Sequence, residues 1–206
     1  MYKKFIKRFI DILLSFVGII VLAIPMLIIA GIIKADSKGP VLFKQKRIKM
    51  HKKEMIMLKF RTMRIDTPKN MPTHLLNDPD KYITKIGAFL RKYSLDELPQ
   101  IYNIFIGDMS IIGPRPCLPN QYDLIECRDK YGANDVKPGL TGWAQINGRD
   151  ELPIDVKAKY DGEYTANISF LFDCRCFFGT ILSVLKHDGV VEGNTEIHKK
   201  EETAIK

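Results

Sequence analysis

The sequence predicts an α+β, mostly helical protein: an N-terminal re-entrant membrane hairpin of helix, break and helix, then a compact cytosolic domain with interfacial helices. Three observations lead there. An apolar run from Phe9 to Ile33 carries cations at both ends and Pro25 inside it, two short apolar segments follow at strand length, and the remaining apolar residues recur mostly at helical spacing.

The apolar run comes first. Lys3, Lys4, Lys7 and Arg8 precede it, and Lys34, Lys38, Lys44, Lys46, Arg47 and Lys49 follow it. Flanking Lys and Arg are retained on the cytoplasmic side, so a straight span would have to carry one cluster across. The run is roughly 25 residues, about 37 Å as a straight helix, and length alone allows a span. Pro25 removes one helical hydrogen bond and favours a kink. Bent there, the run becomes arms of about 24 Å and about 12 Å that enter one leaflet and return. Charge placement favours this hairpin over a single span or a buried soluble helix. Asp11 and Ser15 are expected near the charged entry side, within reach of headgroups. A signal peptide has a shorter apolar region and a small-residue cleavage site, and Gly31-Ile32-Ile33-Lys34-Ala35 is a poor one.

Of 206 residues, positions 1–35 are assigned to the hairpin, 36–191 to the cytosolic domain and 192–206 to a polar, disordered tail. The formal net charge of +8 is concentrated beside the apolar run. Its expected partner is anionic membrane lipid, at about 1 kcal/mol per juxtamembrane cation. Nucleic acid is not expected, because basic residues are not interleaved with aromatics and no nucleic-acid-binding motif is present. Cys117, Cys127, Cys174 and Cys176 fit no disulfide framework or zinc spacing and read as small apolar thiols.

After Gly39-Pro40, Val41 to Ile48 and Met55 to Met63 read as strands joined by a turn near His51-Lys52-Lys53. Residues 65 to 80 hold three prolines and read as a loop near the site. Lys85 to Lys92, Leu98 to Ile106, Pro119 to Tyr131 and Ile154 to Tyr164 read as helices, with Gly107 closing the second and Gly132 the third. Residues 136 to 149 read as a shaped loop. Phe170 to Leu185 is an apolar helix whose stripe of Phe170, Phe177, Phe178, Ile181, Leu182 and Leu185 has two readings, core packing or a helix in the membrane interface.

Two adjacent carboxylates stand out in Ser94-Leu95-Asp96-Glu97-Leu98-Pro99-Gln100. Neighbouring helical side chains diverge by about 100°, so Asp96 and Glu97 are expected to divide labour and not to share one substrate atom. A structural role is open to them: Ser94 with Glu97 matches a capping box, and Asp96 could cap a helix that places Pro99 in its first turn. A carboxylate at a helix start also suits a nucleophile, and attack on phosphorus needs cations around the phosphate oxygens. Arg91 lies five residues upstream, and Arg115 stands between Pro114 and Pro116 in a segment of restricted φ.

Four blocks in order carry a resemblance. Lys59-Phe60-Arg61-Thr62-Met63, Ser94 to Gln100, Gly107-Asp108-Met109-Ser110-Ile111-Ile112-Gly113-Pro114-Arg115-Pro116 and Lys137-Pro138-Gly139-Leu140-Thr141-Gly142-Trp143-Ala144-Gln145-Ile146-Asn147-Gly148-Arg149 resemble the signature blocks of the bacterial sugar transferases, the small monotopic polyprenyl-phosphate phosphoglycosyl transferases. The resemblance implies transfer of a sugar 1-phosphate from a UDP-sugar to undecaprenyl phosphate, with release of UMP, by a Mg²⁺-dependent ping-pong route at the cytoplasmic face of the bacterial inner membrane. It implies Asp96 as nucleophile and metal ligand and Glu97 as its acidic partner. Arg91 and Arg115 would hold phosphate oxygens, with Lys59 and Arg149 near the nucleotide or acceptor. Ile24 and Pro25 fall at the helix break, where the family commonly pairs serine with proline; isoleucine has no hydroxyl to satisfy a carbonyl freed by the kink. Leu171 stands where relatives often show tryptophan. A scaffold without turnover, or a conventional glycosyltransferase releasing UDP, are the alternatives. No stretch specifies the sugar or an oligomeric state.

Overall fold

A computed structural model describes residues 1–67, 81–148 and 152–186. A π-helical turn at Tyr2–Ile6 runs into helix α1, Lys7–Asp36. At 1.5 Å per residue α1 is about 45 Å long. Helical structure continues past Ile24 and Pro25, so the two predicted arms form one unbroken element. Among the described residues, it is the one helix long and apolar enough to cross a membrane by length and composition.

Strands β1 (Leu42–Ile48) and β2 (Glu54–Phe60) form an antiparallel hairpin, with Leu42 opposite Phe60 and Ile48 opposite Glu54. The predicted turn between them is a 3₁₀ turn at Met50–Lys52, with His51 and Lys52 in the left-handed region. Helix α2 is Lys85–Lys92, capped by Thr84 Oγ1, which accepts from the Gly87 amide at 2.9 Å. Helix α3 is Gln100–Ile106, closed by Gly107 at φ 96°. Strand β3 is Ser110–Ile112, helix α4 Tyr122–Asp129 and strand β4 Gly139–Thr141. Helix α5 is Trp143–Ile146, α6 Ile154–Ala166 and α7 Phe170–Lys186.

The second sheet corrects one expectation. Residues 136 to 149 are not only a loop: β4 pairs in parallel with β3, Ser110 with Gly139 and Ile112 with Thr141, and α5 follows. Three residues are too few for periodicity to register. Glycine is required there, because a Cβ on Gly113 or Gly139 would strike the backbone of the facing segment.

Asp11 and Ser15 also depart from expectation. Both are buried against the domain and do not reach outward toward headgroups. The Asp11 carboxylate accepts from Ser110 Oγ at 2.8 Å and from the Ile111 amide at 3.0 Å, and Ser15 Oγ donates to the Asp11 carbonyl at 2.6 Å. A carboxylate facing two donors of β3 is satisfied without water, which is why it turns inward. Nearby, Arg8 donates to the carbonyls of Ile104 and Phe105 at the end of α3.

Beyond Pro25, Met26, Ile29, Ala30 and Ile33 of α1 pack with Phe60, Leu90, Leu95 and Leu98. Burying each large apolar side chain contributes about 1.5–3 kcal/mol, so this cluster anchors the end of α1 under the turn that carries Asp96. A second cluster joins Met55 and Met57 of β2 to Ile104 and Met109, and a third joins Ile112, Trp143, Tyr164 and Cys176. Of the predicted α7 stripe, Phe170, Phe177, Phe178, Ile181 and Leu182 are exposed, as is Leu171 beside them, while Asp173 and Cys176 face in; the side chain of Leu185 lies outside the described residues. Core packing is therefore not the role of those six residues. The four cysteines are free thiols, and burial pushes Cys176 up to about 12. Residues 68–80 of the predicted loop at 65–80, and the predicted tail at 192–206, lie outside the described residues.

Candidate active site

Ser94 sits at φ 55° and reverses the chain after α2. Leu95–Glu97 then form a 3₁₀ turn that leads through Leu98 and Pro99 into α3. Neither predicted cap forms. Ser94 makes no side-chain cap bond to the turn, and α3 begins after Pro99 without a side-chain cap. A left-handed Ser94 leaves the extended backbone a capping residue needs, and the intervening turn takes Asp96 away from the first amides of α3. Both carboxylates are thereby released from a helix-end role.

Four elements meet at this turn. Lys59 comes from β2, Arg91 from α2, the two carboxylates from the turn and Arg115 from the segment after β3. Lys59 Nζ donates to Glu97 Oε1 at 2.7 Å, and Arg115 donates to the same oxygen at 3.0 Å. Lys59 Nζ stands 3.9 Å from Asp96 Oδ2. Among the described residues, no hydrogen bond reaches the Asp96 carboxylate. One acid is clamped by two cations and its neighbour is not.

Electrostatics follow the same split. Burial pushes Asp96 above its ordinary value, with Glu97 pushing the same way and Lys59, Arg91 and Arg115 pulling back only in part. Burial also opposes ionisation of Glu97, but Arg115 and Lys59 overcome it and hold that carboxyl well below the usual carboxylate range. Arg91 donates Nε to Thr62 Oγ1 at 2.8 Å, which aims its guanidinium along the site. Arg149 lies outside the described residues.

Several side chains that position this cluster were not singled out as site residues from sequence. Asn103 accepts from the Leu58 amide at 3.0 Å and donates to the Ile56 carbonyl at 2.8 Å, locking α3 against β2 and so the carboxylates against Lys59. Arg128 is buried, forms two bonds to Asp161 Oδ2 at 2.8 and 2.6 Å, and donates to the Arg115 carbonyl at 3.0 Å. Arg61 donates to the carbonyls of Lys38 and Ser37 and to Ser37 Oγ, fastening the end of α1 to the strand that carries Lys59. On their own helices Asn103 and Arg128 read as ordinary polar positions; only the tertiary fold gives them partners.

Among the described residues no group of three or more His, Cys, Asp or Glu is placed to hold a metal ion. The donor set at the turn is one clamped carboxylate and one unclamped, ringed by cations. Such a site is built to receive an anion with several oxygens beside a single acidic group.

Comparison with known proteins agrees with the blocks that carry these residues. The chain is 35% identical to "Uncharacterized sugar transferase EpsL" of Bacillus subtilis strain 168, over 92% of each chain. It is 40% identical to the "UDP-glucose:undecaprenyl-phosphate glucose-1-phosphate transferase" of Escherichia coli strain K12, over 87% of this chain and 40% of that protein. It is 34% identical to the "Undecaprenyl-phosphate galactose phosphotransferase" of Salmonella typhimurium strain LT2, over 91% of this chain and 42% of that one. This chain thus spans about two fifths of the latter two relatives and nearly all of the first. The family model described as "Bacterial sugar transferase" matches residues 2–187, which take in α1, both sheets and the Asp96 turn together. By that match and by its relatives, the chain belongs to the bacterial sugar transferase family.

Proposed function

We propose that the protein moves a sugar 1-phosphate from a UDP-sugar to undecaprenyl phosphate through an aspartyl-phosphosugar on Asp96, as the first membrane step of surface-glycan assembly. The observation that carries this reading is the asymmetry of the two acids: Glu97 is held by Lys59 and Arg115, and Asp96 beside it is left to react. In the first step an Asp96 oxygen attacks the sugar-bearing β-phosphorus, the bond from that phosphorus to the bridging oxygen breaks, and UMP leaves. In the second, a phosphate oxygen of the acceptor attacks the same phosphorus, the bond to Asp96 breaks and the carboxylate returns. Splitting one displacement into two lets two large anions use the site in turn. Lys59, Arg91 and Arg115 hold phosphate oxygens and offset the charge that gathers on them.

The donor set suits Mg²⁺, which takes one or two carboxylates and completes its shell with substrate phosphates and water. Asp96 would supply the protein ligand, since Glu97 Oε1 is already taken by two cations. The bound ion would neutralise diphosphate charge.

The same reading places α1 as a re-entrant helix in the cytoplasmic leaflet, bent at Pro25, with anionic lipids around its basic ends. Its support is that residues on both sides of Pro25 rest on one domain: Asp11 on β3 before it, Ile29 and Ile33 against Phe60 and Leu90 after it. A straight span would put those contacts on opposite sides of the bilayer. The exposed apolar face of α7 supports a second, interfacial contact with the same leaflet.

The deciding experiment follows the nucleotide. Rapid release of UMP from a UDP-sugar before acceptor is added, lost in Asp96→Asn, is expected. Release of UDP would indicate conventional glycosyl transfer, and an active Asp96→Asn enzyme would remove Asp96 from the chemistry.

A further inference from the structure

An apolar cleft of about 290 Å³ lies between α1 and α2, lined by Ile29, Ile32, Ile86, Phe89, Leu90 and Leu95. Its floor is Leu90, fully buried, and its rim is Ile32 and Phe89, both substantially exposed. No polar surface lines it. Two features give it a direction. Leu95, in its lining, is the residue before Asp96, and Ile29 and Ile32 belong to the helix the proposed function places in the membrane, so the cleft joins the turn that carries Asp96 to that helix. Cations stand at the polar end: Arg91 is on the same helix as Ile86, Phe89 and Leu90, and Lys92 Nζ lies 5.7 Å from the ring centre of Tyr93, which itself contacts Phe89.

We infer that this cleft seats the phosphate-proximal isoprene units of the polyprenyl acceptor, entering sideways from the bilayer, with the phosphate delivered to Arg91 and Asp96. The inference rests on the transfer reading above and adds the place where the lipid is held. An isoprenoid phosphate matches in both parts, an apolar branched chain for the cleft and an anionic head for the cations beside it. Volume limits the fit: an apolar cavity of about 150 Å³ accepts benzene, so this cleft accepts about two isoprene units and not a full tail. Seating near the head is what holds the acceptor's phosphate oxygen, the nucleophile of the second step, beside the phosphorus carried on Asp96, whose carboxylate stands 3.9 Å from Lys59.

The test is photolabelling of the full chain in nanodiscs with farnesyl phosphate bearing a diazirine on its isoprenoid chain, read by mass spectrometry. Label is expected within residues 29–32 or 86–95, suppressed by excess undecaprenyl phosphate and not by equal phosphatidylglycerol. Ile86→Trp, which fills the cleft, and Phe89→Ser, which opens its rim, are each expected to weaken labelling and to raise KM for farnesyl phosphate about tenfold or more. Label outside the cleft, equal suppression by phosphatidylglycerol, crosslinks to a second copy of the chain, or undiminished labelling of both variants would overturn the assignment. Labelling needs no turnover, so the two readings fail separately. Failure to make UMP from any UDP-sugar defeats the transfer reading, whereas UMP release with label elsewhere defeats only the cleft.

Discussion

Asp11 and Ser110, ninety-nine residues apart, are joined by a 2.8 Å hydrogen bond that fixes the apolar helix to the strand leading into Pro114-Arg115-Pro116. The Ile111 amide completes the pair of donors; the Asp11–Ser110 bond is buried and the bond to Ile111 partly so. Anchoring this helix is thereby coupled to the placement of Arg115, which grips Glu97.

Truncating Asp11 tests that coupling. Asp11→Ala leaves the buried Ser110 hydroxyl and the partly buried Ile111 amide without their acceptor, and a loss of about 1–3 kcal/mol is expected, most of it from Ser110. Asp11→Asn keeps one acceptor oxygen and is expected to fall between wild type and alanine. Thermal unfolding in nanodiscs orders the three; equal melting of alanine and wild type would show that the contact does not bear on stability.

Glu97 is expected to work through the cations it holds. Glu97→Gln removes the charge that gathers Lys59 and Arg115 and is expected to lower kcat by about 10²-fold, the scale of a roughly 1 Å misplacement of reacting groups. Because Lys59 and Glu97 act as one unit, Lys59→Met made in the Glu97→Gln background is expected to cost much less than Lys59→Met alone. Steady-state kinetics of the four proteins measure this, and additive losses would break the unit apart.

That unit also shows how far the sequence is legible. The adjacent acids, Lys59 and Arg115 are visible in the linear text because each lies in a block of ten residues or fewer, and Arg91 because it stands five residues before Asp96. The strands and most helices are legible for the same reason: Met55 and Met57 alternate, and Lys85–Lys92 is a periodic turn pair. What fails is information that exists only across the fold. Ser94 reads as a capping serine until its left-handed backbone is seen. Asp11 reads as a headgroup-facing acid until β3 is placed beside it, because β3 and β4 are too short to announce themselves. The outward face of α7 is ambiguous in sequence, since an apolar stripe looks alike whether it meets protein or lipid.

Asp173 gives a prediction about the chain's first turn. Its carboxylate accepts from Tyr2 Oη at 2.6 Å, Lys7 Nζ at 2.7 Å and Tyr164 Oη at 2.7 Å, joining the start of the chain to α7 and α6. Burial and this carboxylate both raise the Tyr2 and Tyr164 phenols well above their ordinary range, so they stay donors. Asp173→Asn presents one fewer acceptor to three donors. Faster amide exchange is expected at residues 2–10 and across α7, read by mass spectrometry, with little change in β1 and β2. Unchanged exchange at residues 2–10 would mean that the Asp173 contacts do not order this segment.

The last prediction concerns pH, where the two acids oppose each other. On the proposed mechanism Asp96 attacks phosphorus as the anion, and its folded value is raised by burial, so UMP release is expected to rise with pH through an inflection above the ordinary aspartate value of about 3.9. Glu97 is held low and stays charged across that inflection, so it adds no second limb there. Stability carries the opposite sign for each residue. The Asp96 anion is disfavoured in the fold, a cost absent below the unfolded value and fully present above the folded one, so Asp96→Asn is expected to be inactive yet to melt at a higher temperature at neutral pH. The advantage should vanish as pH falls below the ordinary aspartate range. Glu97 stabilises the fold above its unfolded value of about 4.3 and loses that contribution as pH falls toward its lowered folded value. An Asp96→Asn protein that melts below wild type at neutral pH, or UMP release that inflects at the ordinary aspartate value, would mean that the cations around Asp96 outweigh its burial.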